Sequence, residues 1–186
     1  MTSIWNNFSD GSKSLEYYAD VLTKLGAVTA ANTTEISTAM EKFAATAEVI
    51  GLSYEIAAAA VATVVAETRQ SAEVVGTAYK TMFARIQGLK LGETLEDGIG
   101  LNQYSEALNK IGVKVLDTSG NMREMDDILA DLGDKWIGLS EAQKTATAQT
   151  VAGIRQYSQF MALMENWDKV LDNVEVAQMS EGELTS

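Results

Sequence analysis

The sequence predicts an all-α fold: a multi-helix, antiparallel bundle-like domain with a small hairpin or extended loop near 113–121 and a long C-terminal helix. Three observations predict it. Pro is absent from all 186 residues, and Pro is the residue that breaks an interior helix, at a cost of about 3 kcal/mol. Apolar residues recur at spacings of three and four, the period of a one-sided helix. Ser, Asn and Gly punctuate these stripes where helices start and stop.

Taken in order, the first ten or so residues are polar, with Trp5 and Phe8 as anchors. Ser14–Leu25 carries Leu15, Tyr18, Leu22 and Leu25 on one face, and Gly26 is expected to loosen its end. Asn32 and Glu35 form a capping-box-like start. Ile36, Met40, Phe43, Ala47 and Ile50 then predict one helix closed by Gly51. Ser53 can cap the next helix, Tyr54–Arg69, whose Ala57–Ala60 run permits close backbone approach. Ser71 caps another, with Val75, Ala78, Tyr79, Met82 and Ile86 inward and Gly88 as its stop.

Gly88, Gly92, Gly98 and Gly100 surround Glu93, Glu96 and Asp97. This Gly-rich acidic linker, 89–100, is expected to divide an N-terminal helical subdomain, 12–88, from a C-terminal one, 101–180. Asn102–Ile111 resumes as a short helix with Tyr104, Leu108 and Ile111 inward. Val113-Lys-Val-Leu116 alternates and meets the turn residues Asp117–Asn121. Met125, Ile128, Leu129, Leu132 and Trp136 mark a helix, and Ser140 with Gln143 opens one reaching Ala152. From Ile154 on, one stripe joins Ile154, Tyr157, Met161 and Met164. A second joins Phe160, Leu163, Trp167, Val170, Val174 and Ala177. Its narrow later part predicts pairing with one other helix, giving a homo-oligomer through the C-terminal helix. No repeat of 20–50 residues is present. The abrupt ends at Met1 and Ser186 predict a piece of a longer protein.

Composition narrows function. Apolar content of 46% is that of a folded protein. The chain has neither Cys nor His, so disulfides, thiolate chemistry and the commonest neutral-pH base and metal ligand are missing. Net charge is −12, with 7 Lys/Arg against 10 Asp/Glu in residues 1–93 and 7 against 16 in residues 94–186. Such a surface repels phosphate backbones and anionic lipid, so neither direct nucleic-acid contact nor membrane contact is expected. The longest uncharged apolar stretch, Ile56–Ala66, is shorter than the roughly 20 residues that span a bilayer.

Each candidate for chemistry has a plainer account. Tyr79-Lys80-Thr81 resembles the end of a phosphate loop but lacks its glycines and strand. Gly98-Ile-Gly100 lacks the third glycine of a dinucleotide fingerprint. Asp117-Thr-Ser-Gly-Asn121 has calcium-like alternation, but Met122 and Ile128 stand where a calcium loop needs Gly and Glu. A tight turn is the better reading. Asp126, Asp127 and Asp131 read as a solvated acidic face. Met82, Met122, Met125, Met161 and Met164 read as core fillers. No catalytic, cofactor-binding or metal-ligating residue is expected, and no cofactor. An enzyme relying on Ser, Lys and carboxylates would need a deep polar pocket where Ser and Lys converge.

The wording of Glu67–Gly92, ETRQSAEVVGTAYKTMFARIQGLKLG, resembles the core region of phage tail tape-measure proteins. There an Ala-rich helix, a small-residue turn and a helix ending in a FARI-like segment follow one another; here these are Ile56–Thr68, Gln70–Ser71 and Ala72–Gln87. The similarity extends from about Leu15 to Trp167, through ALNKIGVKVLDTSGNMREMDDIL and LSEAQKTATAQTVAGIRQYSQFMALMENW. The Gly-Val-x-Val-x-Asp-x-x-Gly-Asn and Ala-Gly-Ile-Arg-Gln phrases are its most specific parts. The resemblance implies a non-enzymatic structural module of the virion tail, assembled in the host bacterial cytoplasm. Family members are long helical proteins that occupy the tail tube and set tail length. Implied partners are other tail proteins: tube, tail tip and chaperones. At 186 residues the chain is too short to be a whole ruler. A generic helical partner-binding module of a bacterial secretion or envelope system is the alternative.

Overall fold

A computed structural model describes residues 14–185, and side chains for residues 14–178. Trp5 and Phe8 lie outside the described residues. Among these residues the structure is all-α, with no strand. Its helices are α1 (Leu15–Val28), α2 (Thr33–Glu41), α3 (Ala44–Ile50), α4 (Tyr54–Thr68) and α5 (Ala72–Lys90). Then come α6 (Leu101–Asn109), α7 (Met125–Trp136), α8 (Glu141–Ala152), α9 (Tyr157–Glu165) and α10 (Trp167–Thr185).

Caps fix most starts. Ser53 and Ser71 side chains accept from the N–H groups of Ile56 and Val74, satisfying donors that have no partner inside the helix. Asn32 with Glu35 and Ser140 with Gln143 close reciprocal capping boxes. Other boundaries differ from the local pattern. α1 runs through Gly26 to Val28, and α5 runs through Gly88 to Lys90. A helix tolerates an isolated glycine at about 1 kcal/mol, less than the packing gained by burying Leu89 completely.

The helix expected from Ile36 to Ile50 is two helices. It breaks at Lys42–Phe43, where N–H groups bond three residues back and Phe43 has φ −129°. The bend lets Phe43 meet Phe83 and Tyr79 edge-on, with ring centroids 5.3 and 6.2 Å away. The stretch from Ile154 also breaks, at Asn166, whose side-chain amide donates to the Ala162 carbonyl. The long C-terminal helix therefore begins at Trp167, and Ile154 is exposed in the turn before α9.

The Ala-rich α4 is buried on every side from Ala57 to Val65 and is the central helix. α1 runs parallel to it. Tyr54 Oη donates to the Tyr18 carbonyl at the start of both helices, and Val28 and Thr29 lie by Thr63 and Arg69 at their ends. α10 runs back antiparallel against both, its Lys169 and Asn173 meeting Glu67 and Thr63. α2 and α3 cover α5, and α8 packs on α5, α6 and α9.

One hydrophobic cluster runs from Tyr17 to Ala177, on both sides of residues 89–100. The C-terminal seam belongs to it. Phe160, Leu163, Trp167, Val170 and Ala177 are buried within their own chain. The seam expected to be open for a second copy is thus already covered, largely by α1 and α4. Nothing local distinguishes a stripe that faces another chain from one that faces its own.

Candidate functional site

The two sequence phrases FARI and AGIRQ meet in space. Arg85, near the end of α5, extends its guanidinium to the end of α8 and donates from Nη2 to the Thr150 carbonyl at 3.0 Å. That carbonyl belongs to the last turn of α8, where backbone acceptors lack helical partners and carry negative partial charge. Nη1 lies 3.1 Å from Asp97 Oδ2, with the Arg85 side chain 15% exposed. Gly153 follows α8 with φ +87°, and a Cβ on it would lie 3.2 Å from Arg85 Nη1. Arg85 therefore ties α5, the 89–100 loop and the α8 terminus together. Beneath them sits Tyr104 of α6, fully buried; burial pushes its hydroxyl pKa up, and Arg85 pulls it partly back.

A second junction joins α7 to α4. Asp126 Oδ1 accepts from the Ser53 N–H at 2.8 Å, and the Asp126 N–H donates to the Gly51 carbonyl at 3.1 Å. Burial raises the Asp126 pKa, and its bond from Ser53 opposes that shift. The acidic face is thus not uniformly solvated. Asp127 is exposed, Asp131 pairs with Arg123 at 2.8 Å, and Asp126 is half-buried structural glue.

The remaining candidates fall apart in space. Lys80 is exposed in the middle of α5, and Gly98-Ile-Gly100 is loop. Asp117 Oδ1 accepts from the N–H groups of Ser119 and Asn121, and an isolated antiparallel bridge pairs Leu116 with Met122. That geometry is a tight turn. Met82, Met125 and Met164 are buried, and Met122 and Met161 pack against the core. No group of His, Cys, Asp or Glu among the described residues could hold a metal ion.

A cleft of about 500 Å³ lies where α1 and α4 end against α10, lined by Thr63, Glu67, Arg69, Lys169 and Asn173 among others. Four of its polar groups bond in pairs. Lys169 Nζ lies 2.8 Å from Glu67 Oε1, and Asn173 donates to Thr63 Oγ1, which donates to the Ala59 carbonyl. No Ser lines it. No described helix is long and apolar enough to cross a membrane.

Fold and junctions define a class: an all-α scaffold whose polar contacts pin helices to one another. The particular family follows from comparison. The profile of the phage-related minor tail protein family matches residues 1–153, and the chain belongs to that family. It is a structural protein of the phage tail. The tape measure protein of Pneumococcus phage Dp-1 is similar to it, 24% identical over 163 residues. That alignment covers 85% of this chain and 13% of the Dp-1 protein, so the chain spans a small part of its curated relative's length. No solved structure matches the chain. The resemblance read from FARI, GVKVLDTSGN and AGIRQ is borne out by these matches.

Proposed function

We propose that the chain is a module of a phage tail tape-measure protein that acts through helix–helix contacts during tail assembly and contributes to length determination. Its partners are other tail proteins, namely tube, tail-tip and chaperone subunits. Assembly takes place in the host bacterial cytoplasm. The module performs no catalysis and contacts no nucleic acid directly, in keeping with its charge of −12. The observation that carries this reading is the similarity to a named tape measure protein across 85% of the chain. The bacterial secretion or envelope module has no comparable support. Contacts with partners fall on surfaces left outside the core, such as exposed Ile137, Ile154 and Leu91. Self-association through the C-terminal seam forms no part of the reading, because that seam is buried.

The test is an in-frame deletion of these 186 residues from the phage gene, with tails measured by electron microscopy. Shortened or aborted tails are expected. As a fully extended helix the segment would account for about 280 Å of tail at 1.5 Å per residue, and as a compact fold for much less. Tails of normal number and length would overturn the proposal.

A further inference from the structure

Residues 93–111, which carry the loop after α5, then α6 and its turn, have few polar ties to the other helices. Their backbone hydrogen bonds stay within the segment or reach only across its ends. Leu95 N–H donates to Ile99 C=O at 2.9 Å, Tyr104 N–H to Gly100 C=O at 3.0 Å, and Ile111 N–H to Leu108 C=O at 3.1 Å. At the ends, Glu93 N–H donates to Gly88 C=O and Leu108 C=O accepts from Val113 N–H. The side-chain bonds to the Ile99 and Gly100 N–H groups come from Asp97 and Gln103 of the same segment. Among the described residues, its one polar tie to another helix is Asp97 to Arg85, and Asp97 is 42% exposed.

The apolar hold rests on fully buried Tyr104 and Leu108, with Leu95, Ile99, Leu101, Ala107 and Ile111 partly buried. Two polar groups in the seat, Arg85 Nε and the Tyr104 hydroxyl, are buried without a hydrogen-bonding protein partner, which favours any state that gives them water. At either end stands a left-handed glycine, Gly92 at φ +85° and Gly112 at φ +87°. A Cβ on Gly92 would meet nothing within 4 Å, so no neighbouring group crowds that turn.

We propose that residues 93–111 form a strap that opens as a unit on Gly92 and Gly112, latched by the Arg85–Asp97 pair. Opening bares Arg85, the last carbonyls of α8 and the seat of Tyr104. The strap thereby gives the module a local transition that leaves the α1–α4–α10 packing intact.

Hydrogen exchange of the whole chain, read by mass spectrometry, tests it. Amides of α6 are expected to exchange at least about tenfold faster than those of α4, because a local unit opens more readily than the core. Asp97→Asn is expected to speed α6 exchange a further two- to fivefold, roughly the worth of one partly exposed ion pair, and to leave α4 unchanged. Salt at about 0.5 M should mimic that substitution in the wild type and add little to the variant. Protection of α6 equal to that of α4 would overturn the strap. So would an Asp97→Asn effect of the same size in both helices.

Discussion

Arg85 and Gly153 are 68 positions apart in the chain and close in the fold, the guanidinium lying 3.2 Å from where a Gly153 Cβ would stand. The contact exists because Gly153 combines a missing Cβ with φ +87°. A helix end with an ordinary residue there would be strained at this φ and would crowd the arginine.

Gly153→Ala should therefore destabilise the protein by about 1–3 kcal/mol, the cost of an unfavourable backbone region plus crowding. Arg85→Ala should cost about 1.5–3 kcal/mol through a lost charged hydrogen bond to a part-buried carbonyl. Denaturant unfolding of both variants and of the double variant separates the two causes. The penalty of Gly153→Ala should shrink in the Arg85→Ala background but not vanish, since only the crowding is relieved. An unchanged penalty would mean that the two residues do not interact.

Where α5 crosses α2, a Cβ on Gly76 would stand 2.8 Å from Ala39 Cα and 2.9 Å from its carbonyl oxygen. Helix propensity favours Gly76→Ala by about 1 kcal/mol. The clash is with backbone, so overpacking should win and leave a net loss of about 1–2 kcal/mol. Thermal unfolding decides the sign; a raised melting temperature would show that the helices separate freely.

Asp126 links stability to pH. Its folded pKa is raised above the ordinary 3.8, so folding favours its protonated form. The stabilisation from that group is complete below its unfolded pKa and is lost as pH rises through the folded value. Asp126→Asn should keep an acceptor for Ser53 N–H, cost little, and flatten the pH dependence of stability in the weakly acidic range. Asp126→Ala should cost about 1–3 kcal/mol at neutral pH, because the Ser53 donor loses its partner. A pH profile unchanged in Asp126→Asn would remove the linkage.

The cap residues offer a simpler check. Ser71→Ala and Ser140→Ala should each cost about 1 kcal/mol, and Ser→Gly only a few tenths. Equal losses for Ala and Gly would point to a role other than capping.

The division into 12–88 and 101–180 expected from the Gly-rich linker can be tested directly. One hydrophobic cluster crosses residues 89–100, so far-UV dichroism and the fluorescence of buried Trp136 and Trp167 should follow one coincident transition. Two separated transitions would establish two independent folding units.

Much of this architecture is written locally. Ser53, Ser71, Asn32 with Glu35, and Ser140 with Gln143 act over three or four residues, so their hydroxyl, amide and carboxylate chemistry is legible without any neighbour. The inward faces of α5 and α7 are legible for the same reason, since helical period and burial coincide, whereas on α1 Leu15 is exposed and Tyr17 and Val21 are buried beside Tyr18, Leu22 and Leu25. The breaks were not. Lys42–Phe43 and Asn166 contain no breaking residue, and both interrupt stripes that continue in register. The Arg85 junction left a trace only as two family-specific phrases, with no spacing rule to join them.

Sequence by itself determined that this protein is helical, where most helices begin, which side chains avoid water, and which family it belongs to. Only the tertiary structure decided that α1 lies parallel to α4, that α10 fills its own chain's seam, and that Asp97, Thr150 and Gly153 gather around Arg85. The reason is one of range. Hydrogen-bonded turns and caps are settled by the few residues that make them, whereas a buried face or a long cation is satisfied by whichever surface the whole chain brings to it.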